Sequence, residues 1–186
     1  SRCVTRVMVS TDDEEIADIA QQYGAEVPFL RPKELAGDVA SLRNVFDHCI
    51  HYLREQGFMP DAYCILFPTS PFRTPRLVDQ LIQALFSGYR KVVTVRTVRA
   101  NRHSHMVMDQ SGALRPLCTT HASGNGQCYY NFTGVFEGVN RRKDGNGSIY
   151  PYPIQDETML IDIDEQSDLD YARWIVDQGL FDFDRS

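Results

Sequence analysis

The chain lacks any apolar run of the roughly 18 or more residues that a membrane-spanning helix requires. Its start, Ser1-Arg2-Cys3, carries no signal-peptide pattern and leads straight into an apolar segment. A soluble, cytoplasmic protein without a membrane partner is the expectation. Cysteine is sparse and unpaired: Cys3, Cys49, Cys64, Cys118 and Cys128 are an odd set with neither disulfide nor metal-site spacing, so they read as reduced, mostly core residues. Positive charge is also short, with 19 Lys and Arg against 25 Asp and Glu and a net charge of −6. No basic stripe is available to neutralise a phosphate backbone, which argues against a nucleic acid polymer as partner. There is no Gly-x-Gly-x-x-Gly turn after the first apolar segment, against a dinucleotide-binding domain. No serine sits in a nucleophile elbow, and no repeat or low-complexity tract is visible.

What is present fits one domain over residues 1–186, with 42% hydrophobic residues to build its core. Val4 to Ser10 reads as a strand, followed by a helix whose Ile16, Ile19, Ala20 and Tyr23 recur at helical spacing until Gly24. Leu42, Val45, Phe46, Cys49, Ile50 and Leu53 predict a core-facing helix near residues 40–56. Ala62 to Phe67 is an unbroken apolar run, as expected of a central parallel strand covered on both faces. Thr74-Pro75 reads as the N-cap and first residue of the next helix, with Leu77, Val78, Leu81, Ile82 and Leu85 along one stripe. Strands follow at Lys91 to Val95 and Cys128 to Glu137, the latter broken at Thr133-Gly134, then an extended Ser148 to Ile154. Residues 110–127 read as a loop. A last helix opens at Ser167, with Asp170 in the capping-box position. Strands alternating with helices indicate a mostly parallel sheet with helices on both faces.

The segment with most chemical content is Met159-Leu160-Ile161-Asp162-Ile163-Asp164. A short apolar run bounded by polar residues reads as a strand, and residues two apart on a strand share a face, so Asp162 and Asp164 emerge together. Two carboxylates at a strand end suit a hard divalent cation such as Mg²⁺. They suit equally the solvated end of a strand whose Ile161 and Ile163 face the core.

Other candidates lie in turns. Ser10, Thr11 and Asp12 follow a strand, where open α/β sheets bind ligands, and they also serve as helix caps. Arg31 sits between Leu30 and Pro32 on a segment stiffened by proline, so it would lose little entropy on gripping a ligand. Pro68-Thr69-Ser70-Pro71-Phe72-Arg73-Thr74-Pro75 is a rigid polar loop offering Thr69, Ser70 and Arg73. Arg96, Arg99, Arg102, His103 and His105 form the positive cluster that an anionic substrate would want. Gly134 would let a ligand approach the backbone. His48 and His51, lacking acidic or cysteine partners nearby, read as solvated surface.

Taken in order, Val9-Ser10-Thr11-Asp12 with Glu15-Ile16-Ala17, Gly24-Ala25-Glu26-Val27-Pro28-Phe29-Leu30-Arg31-Pro32, Pro68-Thr69-Ser70-Pro71-Phe72-Arg73-Thr74 and Ile161-Asp162-Ile163-Asp164 resemble the motifs of the acylneuraminate cytidylyltransferases. Those enzymes activate sialic, legionaminic and pseudaminic acids as CMP-sugars. The resemblance implies a three-layer α/β/α fold with a mostly parallel sheet, of nucleotide-diphospho-sugar transferase type. It implies Mg²⁺-dependent attack of the sugar's anomeric hydroxyl on the α-phosphate of CTP, with pyrophosphate leaving. Asp162 and Asp164 would be the catalytic metal ligands, and Ser10 and Arg31, flanked by Thr11 and Asp12, would contact the nucleotide. Thr69, Ser70 and Arg73 would line the sugar site near Thr133 and Gly134, with Arg96 as a further substrate contact. The excursion over residues 99–127 would reach the neighbouring subunit of a homodimer. The chain departs from the family at Phe67, where a polar residue usually stands, and it begins after the Arg/Gly/Ser/Lys-rich loop that cradles the triphosphate. From that start, little cytidylyltransferase activity is expected of these 186 residues alone. Rival readings are a cytidylyltransferase for Kdo and a non-catalytic sugar- or nucleotide-binding relative acting as an assembly partner.

Overall fold

Helix-starting chemistry organises the first sixty residues of the computed structural model, which describes residues 1–37, 40–98, 106–108, 114–116, 129–142 and 147–184. Contacts divide the chain into two compact units, Ser1–Tyr63 and Cys64–Ser186.

In the first unit, helix α1 spans Glu14–Gln22 and is capped by Asp13, whose carboxylate accepts from the Ile16 amide. Glu14 and Glu15 in its first turn complement the positive helix end. Helix α2 spans Leu42–Glu55, with the Ser41 hydroxyl accepting from the Arg43 amide. Its Val45, Phe46, Cys49, Ile50 and Leu53 are half-buried while Leu42 is exposed. The expected strand from Val4 to Ser10 is reduced to one parallel bridge between Met8 and Glu26. Val7 to Val9 meets only the Glu26 backbone, through Glu26 N to Val7 O at 2.8 Å and Val9 N to Glu26 O at 2.9 Å, so no longer ladder forms. Arg6 clamps Glu26 through Nε at 2.8 Å and through Nη2, and its guanidinium lies 4.7 Å from the Phe58 ring centroid.

The second unit holds most of a four-stranded sheet in the order β1-β5-β2-β6: β1 Ala62–Ile65, β2 Lys91–Val98, β5 Tyr129–Asn140 and β6 Ile149–Pro153. The first two residues of β1 belong to the first unit. The sheet is mixed: β2 runs antiparallel to β5 and parallel to β6. Between β2 and β5 the described residues form a short antiparallel pair, β3 Met106–Met108 with β4 Leu114–Pro116. That pair corrects the expectation of a continuous loop from residue 110, because Leu114–Pro116 is a strand flanking the Ser111-Gly112 turn signal. Nor is β1 a central strand covered on both faces: it ends the strand order, and its four residues are only half-buried.

Helix α3, Pro75–Phe86, follows the sequence reading closely. Thr74 caps it by accepting from the Leu77 amide at 3.1 Å, and Leu77, Val78, Leu81, Ile82 and Leu85 are all buried. Val92, Val93 and Val95 of β2 and Val135 and Phe136 of β5 are buried as well, so the core of this unit forms where the helix stripe meets the sheet. A second apolar cluster joins Phe72, Phe181 and the Ala172 and Ile175 face of helix α4, Gln166–Asp177. That helix starts one residue earlier than expected and takes its capping box from Glu165 and Asp168 instead of Asp170, because the Asp168 carboxylate accepts the Glu165 amide at 2.9 Å.

Candidate functional site

Thr94 builds the first feature of the site. It is a polar residue in the valine-rich β2 and is fully buried. Opposite it, the register of β5 slips: Val93 pairs with Glu137 but Val95 pairs with Phe132, so residues 133–136 of β5 face Thr94 alone. This wide bulge is held by the Thr94 hydroxyl, which accepts from the Phe136 amide at 3.0 Å and shares a bond of 2.8 Å with the Thr133 hydroxyl. Bulges re-aim backbone and side chains, and here the bulge carries Thr133 and Gly134 to the edge of a cavity. Sequence reasoning took the break at Thr133-Gly134 correctly but missed Thr94; a lone threonine among core valines was the available signal.

The cavity has a volume of about 120 Å³ and is lined by Ser70, Arg96, Thr133, Gly134 and Asp162 together with Phe132, Met159 and Leu160. Five sequence-derived candidates from four separate segments thus share one wall. Ser70 is buried, and its hydroxyl stands 3.4 Å from Asp162 Oδ1. Gly134 is close to the same hydroxyl: a Cβ there would lie 2.6 Å from Ser70 Oγ and 3.1 Å from Phe67 Cβ. The close approach that this glycine permits is therefore made by the protein's own Pro68–Pro75 loop. Phe132, largely exposed on β5, was not among the candidates, and neither were Met159 and Leu160.

Asp162 and Asp164 do not leave a strand. Asp156 accepts the Thr158 amide at 2.9 Å and opens a 3₁₀ turn over Glu157–Leu160, and short polar side chains of this kind compete with sheet ladders. Beyond it, Ile161 to Asp164 is extended and, among the described residues, makes one backbone bond to a distant segment, Ile163 N to Thr69 O at 2.8 Å. The alternation survives without the strand: Ile161 and Ile163 pack on the Phe72 cluster and the two carboxylates are exposed. Asp164 is fixed from the other side, since Asp168 accepts its amide at 3.1 Å. Among the described residues no three His, Cys, Asp or Glu side chains are grouped to hold a metal. A pair of exposed carboxylates still fits Mg²⁺, which keeps waters and takes substrate phosphates as further ligands.

Two other candidates in this loop are placed differently. Thr69 is exposed and contributes its carbonyl. Arg73 turns inward, its Nη2 donating to the carbonyls of Phe67 and Ser70, and burial draws its guanidinium down to about 10.

The remaining candidates form a second cluster within the first unit. The Arg31 amide donates to Thr11 O at 2.7 Å, the Arg31 guanidinium meets Asp12 at 3.0 Å, and the Thr11 hydroxyl, nearly buried, accepts from the Asp13 amide. The bond from the Arg31 guanidinium holds the Asp12 carboxyl below its ordinary range. Among the described residues, Ser10 Oγ and Arg31 Nε are buried with no hydrogen-bond partner, which leaves one hydroxyl and one guanidinium donor unspent there. Cys49 is beside them: burial raises its thiol, opposed by Ser10, which is close to it though not at bonding geometry, and by the charge of Arg31. His51 pairs with Glu55 at 3.3 Å in solvent, as expected, whereas His48 is half-buried edge-on against Phe29 because its side of α2 faces the proline-stiffened segment. Arg99, Arg102, His103 and His105, and most of the 99–127 excursion, lie outside the described residues.

The cytidylyltransferase family model matches residues 1–122. The chain belongs to the cytidylyltransferase family. Among curated relatives of this cytidylyltransferase-family chain, the CMP-N,N'-diacetyllegionaminic acid synthase of Legionella pneumophila is 32% identical over 114 residues, covering 61% of the chain and 49% of that enzyme. The pseudaminic acid cytidylyltransferase of Campylobacter jejuni strain 81-176 is 25% identical over 179 residues, covering 90% of the chain and 76% of that protein. The chain spans about half or less of the length of the Legionella enzyme and of a second Campylobacter jejuni pseudaminic acid cytidylyltransferase that it matches. A solved CMP:2-keto-3-deoxy-manno-octonic acid synthetase complexed with CTP aligns at a TM-score of 0.64 with 15% identity, over 95% of this chain and 82% of that one, and it supports the α/β fold. No described helix of this family member is long and apolar enough to cross a membrane.

Proposed function

We propose that the protein activates a nonulosonic, sialic-type acid with CTP, giving a CMP-sugar and pyrophosphate, on the three-layer α/β/α arrangement of the nucleotide-sugar transferases. The observation that carries the reading is the cavity that gathers Ser70, Arg96, Thr133, Gly134 and Asp162, alongside membership of the cytidylyltransferase family. A small cavity with one guanidinium, two hydroxyls, a carboxylate and an apolar side suits a polyhydroxylated acid: Arg96 meets the sugar carboxylate, the hydroxyls order its ring and Phe132 covers an apolar face.

Nucleotidyl transfer needs positioning and charge neutralisation more than a covalent nucleophile. Asp162 and Asp164 would hold Mg²⁺, which when bound supplies neutralisation of phosphate charge. Ser70 stands against the Asp162 carboxylate, and Asp168 holds the backbone amide of Asp164. The unspent Ser10 hydroxyl and Arg31 Nε donor are suited to the nucleotide. The substrate acid's anomeric hydroxyl attacks the α-phosphate. A homodimer contact through residues 99–127 and a cytoplasmic location belong to the same proposal.

The test is pyrophosphate release and CMP-sugar formation from CTP with sialic, legionaminic, pseudaminic and Kdo acids, with and without Mg²⁺. Turnover of an acid of the first three kinds that is lost in Asp162→Ala supports the reading. Turnover of Kdo alone would reassign the substrate, and no turnover of any acid would make the chain a non-catalytic relative.

A further inference from the structure

Arg73 has an unusual set of partners for an arginine in a substrate loop. Its Nη2 donates to two carbonyls of its own turn, those of Phe67 and Ser70, and its Nε is buried with no partner among the described residues. The Phe67 carbonyl also accepts the Ser70 amide at 3.2 Å, so the guanidinium closes a turn already begun by the backbone. What the closed turn then touches is the carboxylate segment. Thr69 O accepts the Ile163 amide at 2.8 Å, and Ser70 Oγ stands 3.4 Å from Asp162 Oδ1. On the opposite side the Phe67 amide donates to Gly134 O at 3.2 Å, tying the turn to the bulge of β5. One side chain thus fixes both ends of a turn whose middle holds Asp162 and Ile163. Arg73 itself is not among the residues that line the cavity.

We propose that Arg73 is a positioning residue: by holding the carbonyls of Phe67 and Ser70 from inside, it sets the Ser70 hydroxyl and Thr69 carbonyl that orient the Asp162 carboxylate, and it does not grip substrate. Both bonds leave the terminal Nη2 of a rigid planar group, whereas lysine is shorter and ends in a compact ammonium on a flexible stem. Arg73→Lys keeps the charge and most of the volume and loses the two-carbonyl grip. Displacements near 1 Å at a reacting group cost up to about 100-fold in rate.

The inference rests on the proposed cytidylyltransferase reading for its kinetic arm alone. Hydrogen exchange of the ligand-free protein provides the other arm. Arg73→Lys is expected to speed exchange in the peptide covering 159–165, which carries the Ile163 amide, while helix α3 keeps its protection. In turnover, kcat is expected to fall about tenfold or more with the KM for the sugar acid within about threefold. Ser70→Ala leaves Arg73 in place, breaks the link to Asp162, and is expected to lower kcat similarly without exposing residues 67–73. Unchanged exchange at 159–165 overturns the proposal, as does a KM that rises with kcat intact, which would make Arg73 a substrate contact. Acceleration spread evenly over the whole second unit also overturns it, leaving a merely structural arginine. Were the wild-type protein to make no CMP-sugar, the enzymatic reading would fail while the exchange result still decided the role of Arg73.

Discussion

Replacing Gly134 with alanine probes the contact on which the cavity depends. The added methyl would sit 2.6 Å from Ser70 Oγ, 3.1 Å from Phe67 Cβ and 3.4 Å from Phe67 Cδ2. The last is ordinary contact, and the first is about 0.8 Å too close. Ser70 is 2% exposed and its hydroxyl is engaged with Asp162, so it has nowhere to swing without leaving that carboxylate. Overpacking of this kind costs about 1–3 kcal/mol. Against it stands the gain of about 0.5–1 kcal/mol from removing a glycine within a strand. A net loss of about 1–2 kcal/mol follows, read by urea unfolding. The decisive control is the same change in a Ser70→Ala background, where the nearest atom is gone and only the milder Phe67 contact remains. There Gly134→Ala is expected to cost about 1 kcal/mol less, a coupling within the range for residues in contact. Equal costs in both backgrounds would refute the argument that the Ser70 hydroxyl occupies the space this glycine vacates.

Thr94→Val keeps the shape but leaves the buried Phe136 amide without its acceptor, so a loss of about 1–3 kcal/mol is expected in unfolding experiments; a neutral result would show that the bulge is held otherwise. Burial raises the thiols of Cys49 and Cys64, whereas Cys3 is exposed, so peptide-resolved alkylation at pH 8 should label Cys3 first and the other two slowly. Equal labelling rates would contradict that burial. Asp12 and Glu26 titrate below their ordinary values of 3.8 and 4.5, chiefly through bonds from Arg31 and Arg6. A lowered folded value means stability is present above the unfolded value and is lost as pH falls through the folded one. Acid unfolding of the first unit should therefore begin below about pH 4.5 and be less pH-dependent in Asp12→Asn/Glu26→Gln; identical acid profiles would refute the contribution of these pairs.

Local chemistry was enough to define α3, with its threonine cap, first-position proline and five buried apolar residues, and it also located the family motifs. It identified the exposed alternation of Asp162 and Asp164, because that alternation depends only on extended backbone with isoleucines drawn to a core. Pairing was beyond it. Whether Met159 to Asp164 joins a sheet depends on a neighbouring strand, and here Asp156 diverts the chain into a turn before one can form. The antiparallel course of β5 against β2 is likewise a matter of pairing that no local signal in either strand records. The filling of the Gly134 space by Ser70 arises between residues far apart in sequence, and the inward turn of Arg73 onto Phe67 and Ser70 depends on how their shared loop is folded. Such contacts are decided by which backbone carbonyls and hydroxyls are left unsatisfied once the sheet has closed, and only the tertiary structure shows that.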